Sequence, residues 1–172
     1  MPMTEKTTWV VVADEAIARI LRKPEMLGDL EPVEELTDPD AHARGADLRN
    51  DAEGRRAGSA PAGSQQNPVH RLRGAASATA SAGESELHLH AESFARRVAA
   101  HLDQALQQNR YEELKVIAAP RFLGMLRKQF SARVAASVVE TLNKDLVHFS
   151  NDDITRRLAD TALPSGTADQ TL

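Results

Sequence analysis

The sequence predicts a single α/β domain in which a mixed five-stranded sheet is flanked by helices. One observation is the order of the central stretch: an apolar run at residues 114–119, then Pro120 with helically spaced apolar residues, then a second β-branched run at residues 134–142. A strand–helix–strand order of this kind normally builds a parallel pair of strands. A second observation is a pair of short apolar runs around a tight turn near the N-terminus, which indicates an antiparallel hairpin.

The N-terminal half is expected to form three strands followed by a long loop. Residues 7–13 are rich in β-branched side chains, and residues 16–22 alternate apolar and polar side chains as a half-buried strand does. Residues 30–36 give a third strand, in which Pro32 indicates an edge position. Residues 39–83 are dense in Ala, Gly, Ser, Pro, Arg and Asp and hold few large apolar side chains. That composition predicts a long flexible loop.

The C-terminal half is expected to hold three helices and two strands. The apolar stripe over residues 84–109 is the strongest helix signal in the chain. Pro120 is expected to begin the second helix, because proline suits a first helical turn. The last strand is predicted at residues 134–142, and Ser150 is the expected cap of a short final helix. The helix positions predicted to face the sheet include Phe94, Val98, Leu123, Leu126 and Phe130.

Composition limits the classes of function. The chain has 172 residues, 41% of them hydrophobic, and a formal net charge of −4, so no general attraction for nucleic acid or anionic membranes is expected. It has no cysteine, which excludes disulfides, zinc ribbons and thiol catalysis. No apolar run has the length of a signal peptide's hydrophobic region or of a membrane span, and a cytoplasmic location without membrane contact is expected. The domain is predicted over residues 1–163, followed by a polar tail at residues 164–172.

Three short motifs follow one another through the second half of the chain. An apolar strand ends in Ala119-Pro120, Leu-Gly-x-Leu-Arg follows at residues 123–127, and Lys144-Asp145-Leu146 comes after the last strand. With the WVVVADEAIARIL run near the N-terminus, they resemble the bacterial host attachment protein family over the chain outside the long loop and the tail. That family is similar to the middle domain of archaeal and eukaryotic peptide-chain release factors. The resemblance implies a three-layer, ribonuclease H-like fold, and the predicted element order is the one seen in such folds.

The similarity to release factors implies a role in translation. In those factors, the loop before the long helix carries a Gly-Gly-Gln tip that enters the peptidyl-transferase centre. Gly63-Ser64-Gln65 stands at the corresponding place here, which makes Gln65 the candidate catalytic residue, positioning a water against a peptidyl ester. Ser64 departs from the family's pattern, because its Cβ restricts the backbone where the release factors have glycine. Whether the chain is an enzyme therefore stays open at this point.

Basic side chains near this tip and on the second helix are the candidate RNA ligands. Arginine and lysine hold RNA phosphates, and a helix that begins after a parallel strand favours anions at its N-terminus. The ordinary interpretation of the helix cations is a solvated outer face. The candidates are Arg71, Arg73, Arg121, Arg127, Lys128 and Lys144, with Arg133 in the same basic run. The expected partners are the ribosome or tRNA, and no cofactor is expected.

Two other functions are consistent with the same sequence. Asp14, Asp38 and Asp145 follow predicted strands and offer oxygen ligands of the kind that a metal-dependent nuclease of ribonuclease H-like fold would need. Each of these acids also has an ordinary interpretation as a turn or loop residue. The third alternative is a noncatalytic protein-interaction module.

Overall fold

A computed structural model describes residues 6–41 and 75–162, with the backbone alone described at residues 75–81 and 162. Five strands form one mixed sheet in the order β3-β2-β1-β4-β5. β1 pairs antiparallel with β2 and parallel with β4, β2 pairs antiparallel with β3, and β4 pairs parallel with β5. The strands are β1 (Thr8–Ala13), β2 (Ile17–Arg22), β3 (Glu31–Thr37), β4 (Glu113–Ala118) and β5 (Val138–Asn143). The predicted mixed five-stranded sheet is confirmed, and its strand order is consistent with a ribonuclease H-like fold.

Helices cover both faces of this sheet, so the domain has three layers. The helices are α1 (Ala75–Gln107), α2 (Pro120–Gln129), α3 (Ala132–Ser137) and α4 (Asn151–Ala162). A helical turn at residues 39–41 ends the first described segment. The predicted tail at residues 164–172 and residues 42–74 of the predicted loop lie outside the described residues.

β1 is the centre of the sheet and contributes to two separate cores. Trp9, Val11 and Ala13 pack on one face against α1, α2 and α3. Val10 and Val12 pack on the opposite face against α4. Because both faces are covered, every residue of β1 is buried and its sequence is continuously apolar rather than alternating.

Aromatic rings organise the larger of the two cores. Phe94 on α1 stacks on Phe122 on α2, with ring centroids 5.8 Å apart, and both rings are buried. Of the predicted core positions, Phe94, Val98, Leu123 and Leu126 are buried, as expected. Phe130 is only partly buried, because it caps the C-terminus of α2 instead of lying on its inner face.

The predicted boundaries were wrong at two places. α1 begins at Ala75 rather than at residue 84, so residues 75–83 are helical and not part of a loop. Five of those nine residues are alanine, the best helix former, which needs no core contact to favour a helix. The predicted strand at 134–142 is helix α3 over its first part, and β5 begins only at Val138.

Arg19 ties the segment before α4 to the sheet. Its Nη1 donates hydrogen bonds to the carbonyl oxygens of Val147 at 2.8 Å and Phe149 at 2.6 Å. Its Nη2 donates to Oδ1 of Asn151, the first residue of α4. One side chain on β2 therefore sets the path of the chain between β5 and α4.

We expect Arg19→Ala to lower the free energy of unfolding by about 2 kcal/mol, because two carbonyl oxygens lose a charged donor. The matched control is Arg22→Ala on the same strand. Arg22 is exposed and bonded only to the exposed Glu31, so its removal should change stability little. Urea unfolding of both variants measures the difference, and equal midpoints would contradict the role assigned to Arg19.

Candidate functional site

The parallel strands bring several predicted site residues to one edge of the sheet. β1, β3, β4 and β5 all run in the same direction, so their carboxyl ends lie at the same edge. Asp14 follows β1, Asp38 follows β3, Pro120 follows β4 after one residue, and Lys144 follows β5. In open α/β sheets, ligands tend to bind at this edge.

The three acids proposed as metal ligands have different surroundings. Asp14 Oδ1 accepts hydrogen bonds from the backbone N–H groups of Ala16 at 2.8 Å and Ile17 at 2.7 Å, so Asp14 closes the β1–β2 hairpin. Asp38 is buried, and its carboxylate lies 3.7 Å from Arg97 Nη2. Asp145 is exposed. Nowhere in residues 6–41 or 75–162 do three His, Cys, Asp or Glu side chains meet in a group that could hold a metal ion. The nuclease alternative stays a prediction.

Arg121 lies at the carboxyl edge but is already engaged. Its Nε is 3.6 Å from Oε1 of Glu15 in the β1–β2 turn, and its Nη2 is 3.4 Å from Nδ1 of His88 on α1. The start of α2, which carries Arg121, has Ala119 as its N-cap and no side chain that caps it. The first N–H groups of α2 therefore remain available to an anion at the same edge as Lys144.

Four cations lie on or directly after α2, α3 and β5, and we call them the basic surface: Arg127, Lys128, Arg133 and Lys144. All four are exposed. Arg127 reaches from α2 to β5, where its Nη2 donates a 2.7 Å hydrogen bond to Oγ1 of Thr141. Lys144 follows the end of the same strand.

The basic surface differs from the rest of the described chain in its lack of carboxylate partners. Most other cations pair with a carboxylate within 4 Å, namely Lys6, Arg22, Arg97, Arg110, Lys115, Arg121 and Arg156. No described carboxylate lies that close to any of the four cations of the basic surface. Arg19, Lys23, Arg96 and Arg157 also lack such a pair among the described residues, but they are spread over β2 and the residue after it, α1 and α4.

Charge is distributed unevenly across the sheet. Residues 6–41, which include the edge strand β3, contain nine acidic and four basic side chains. Residues 120–145, which end just beyond the opposite edge strand β5, contain two acidic and five basic side chains. An acidic protein thus carries a locally positive edge, which a net charge alone does not reveal.

Ser131 is a structural residue of this region that the sequence interpretation missed. Its hydroxyl accepts a 3.2 Å hydrogen bond from the N–H of Val134 and donates to Oδ1 of Asp103 on α1. The cap starts α3 and places Arg133 in the first turn of that helix. A serine three residues before a buried valine was the signal for a helix start.

The structure describes the position of some of the predicted RNA ligands, and none of them is tested as a ligand. Arg127, Lys128 and Lys144 belong to the basic surface, whereas Arg121 is held by Glu15. Gln65, Arg71 and Arg73 lie outside the described residues.

None of the described helices combines the length and the apolar character needed to cross a membrane.

Comparison with known proteins identifies the family. No curated protein matches the chain. A family model, described as protein required for attachment to host cells, matches residues 9–158, which include all five strands except Thr8. The chain therefore belongs to the family of proteins required for attachment to host cells.

Proposed function

We propose that this chain is a translation-associated RNA-binding protein that holds RNA phosphates on its basic surface. The observation that supports the proposal most is that four exposed cations on and next to α2, α3 and β5 have no carboxylate partner among the described residues, in a protein whose net charge is −4. A carboxylate paired with a cation weakens the attraction of that cation for a phosphate, so cations without such a pair attract RNA more strongly.

The placement of these cations suits a chain of phosphates. α3, with Arg133, leads into β5, Arg127 contacts Thr141 within the strand, and Lys144 follows its end. Six residues of strand span about 20 Å, so the row runs along several consecutive phosphates of an RNA strand. The uncapped N-terminus of α2 lies at the end of the sheet where Lys144 is placed and adds a further anion-binding group.

The expected mode of recognition is contact with the phosphate backbone rather than with bases. Trp9, Phe94, Tyr111 and Phe122 are buried, so none of these rings is available to stack on a base. Of the two other aromatic rings, Phe130 is partly buried, and Phe149 is exposed but has the guanidinium of Arg157 over its ring at 4.4 Å. Phosphate contacts carry no sequence information. A structured RNA such as tRNA or ribosomal RNA fits this mode.

The link to translation rests on the resemblance to the middle domain of release factors. It would place Arg71, Arg73 and Gln65 in the loop that precedes α1, with the arginines adding phosphate contacts. In that arrangement, Gln65 would meet the peptidyl ester while the basic surface holds RNA. Gln65→Ala should leave RNA binding intact, and it should reduce peptidyl-tRNA hydrolysis if the tip is catalytic.

The test of RNA binding is the double variant Arg127→Gln with Lys128→Gln. We expect tRNA binding to weaken about tenfold or more at low salt, because two phosphate contacts are lost. The slope of affinity against salt, on logarithmic axes, should flatten by a little less than one for each contact. Filter binding over a series of salt concentrations measures both quantities, and preference among RNA sequences should not change.

The matched control is Arg22→Gln with Arg156→Gln, which removes two exposed arginines that already pair with carboxylates. Its salt slope should stay close to that of the unchanged protein. Ribosome co-sedimentation then tests the link to translation. A purified protein that ignores both tRNA and ribosomes at low salt would overturn the proposal.

A further inference from the structure

A cavity lies on the α4 side of the sheet, opposite α2 and α3. Within the described residues, α4 is the one helix that packs on this face, and its 12 residues leave part of the sheet uncovered. The cavity has a volume of about 500 Å³ and is lined by Val10 of β1, Leu30, and Leu158 and Ala159 of α4. Cavities of about 300–1,000 Å³ accommodate drug-sized molecules, so this one has room for a pair of side chains.

Two of the polar side chains in the cavity wall, Thr155 and Lys115, already have partners. Thr155 Oγ1 accepts a hydrogen bond from the N–H of Leu30 at 3.0 Å and donates to the carbonyl of Asn151 at 2.7 Å. Lys115 Nζ pairs with Glu140 Oε2 at 2.6 Å. The wall therefore offers mainly apolar surface and calls for an apolar occupant.

Two large apolar side chains protrude at the rim of the same cavity. Met26 is 85% exposed and Leu27 is fully exposed, on the segment between β2 and β3. Both also border the cavity. A protrusion and a recess thus lie side by side in one patch.

We infer that this patch is a dimer interface, with a second copy of the chain as its occupant. A twofold contact is formed by the same patch on both subunits, so the patch must complement itself. Here the tip at Met26 and Leu27 of each copy would enter the cavity of the other. The apolar surface that both copies expose would then be buried together.

The charges at the rim complement themselves in the same way. Lys23 and Glu25 flank the tip, and both border the cavity. In a twofold arrangement, Lys23 of one copy would face Glu25 of the other, twice per dimer. A partner whose surface carries charge of one sign would be attracted by one of these two residues and repelled by the other. The presence of both signs at the rim therefore favours a second copy. The interface would leave the basic surface on the opposite face free.

Leu27→Glu tests the apolar part of the interface. We expect sedimentation velocity over a wide concentration range to show a monomer–dimer equilibrium for the unchanged protein. Leu27→Glu should raise the dimer dissociation constant about tenfold or more, because a charge would enter an apolar cavity. The control is Leu89→Glu. Leu89 is 64% exposed and lies on α1, which packs on the opposite face of the sheet from the cavity. This control should leave the dissociation constant unchanged.

A charge exchange tests the arrangement of the two copies. Lys23→Glu alone and Glu25→Lys alone should each weaken the dimer by placing like charges opposite one another. The double variant should restore the affinity, a result that damage to the fold would not produce. A protein that stays monomeric at every concentration would overturn the inference. So would equal effects of Leu27→Glu and Leu89→Glu, or a monomer whose cavity binds an apolar probe such as anilinonaphthalene sulfonate.

Discussion

Replacing Phe122 with alanine is expected to lower the free energy of unfolding by about 3–5 kcal/mol. Phe122 is fully buried where α2 meets α1, and its ring stacks on Phe94. Removing the ring loses the free energy gained by transferring it from water into the core. It also leaves a cavity between two helices that the sheet holds in place. Denaturant unfolding followed by circular dichroism measures the loss.

Phe130→Ala is the matched comparison, because the same ring is removed at the end of the same helix. Phe130 is only partly buried, so the free energy of unfolding should fall by less than it does for Phe122→Ala. A loss for Phe130→Ala that equals or exceeds the loss for Phe122→Ala would contradict the burial of the two rings.

The second large effect is expected in alkaline solution and comes from Tyr111. Burial raises the pKa of its hydroxyl to about 12; a hydrogen bond with Ser137 opposes this rise, and the negative charge of Asp103 adds a smaller rise. The hydroxyl donates a 2.9 Å hydrogen bond to the carbonyl of Leu102, and the ring stacks on Trp9 at 4.9 Å. Both contacts hold the neutral phenol in the core.

Because the folded pKa lies above the unfolded value of about 10, the unfolded chain loses this proton first as the pH rises. The contribution of Tyr111 to stability is therefore complete below pH 10. It should be lost between about pH 10 and 12, and the full loss approaches about 3 kcal/mol.

Tyr111 is the one tyrosine of the chain, so its ionisation can be followed directly by ultraviolet absorbance of the folded protein. Tyr111→Phe is the control, because it keeps the stacked ring and removes the titrating group. It should flatten the alkaline fall in unfolding free energy. Ionisation of the folded protein near pH 10 would contradict the burial of the hydroxyl.

Much of the fold could be predicted because its signals are local. The continuous β1, the Asp14 turn of the hairpin and Pro120 at the start of α2 all appear where the sequence indicates them. Each depends on short-range chemistry: two-sided burial, a carboxylate that accepts from the turn's own N–H groups, and a residue without an N–H. The family motifs lie on these same elements.

The errors arose where local composition fits two structures. The stretch at residues 75–83 is small and polar, which suits a loop, yet its alanines also favour the helix that α1 continues. Val134 and Val138 both suggest a strand, and the Ser131 cap, supported by Asp103 on a distant helix, makes the first part helical. A contact between distant residues decided the second case, whereas local helix propensity accounts for the first.

For the candidate site, the sequence by itself determined which cations exist and placed most of them on α2 or after a strand. It could not determine which of them are neutralised, because ion pairs join residues that are far apart in the chain. Arg121 meets Glu15 across the carboxyl edge, whereas Arg127, on the same helix, meets only Thr141 among the described residues. The cavity beside Met26 and Leu27 likewise exists because α4, the one described helix on that face of the sheet, leaves part of the face uncovered. Tertiary structure decided both features, since burial and charge pairing depend on neighbours that the chain brings together only on folding.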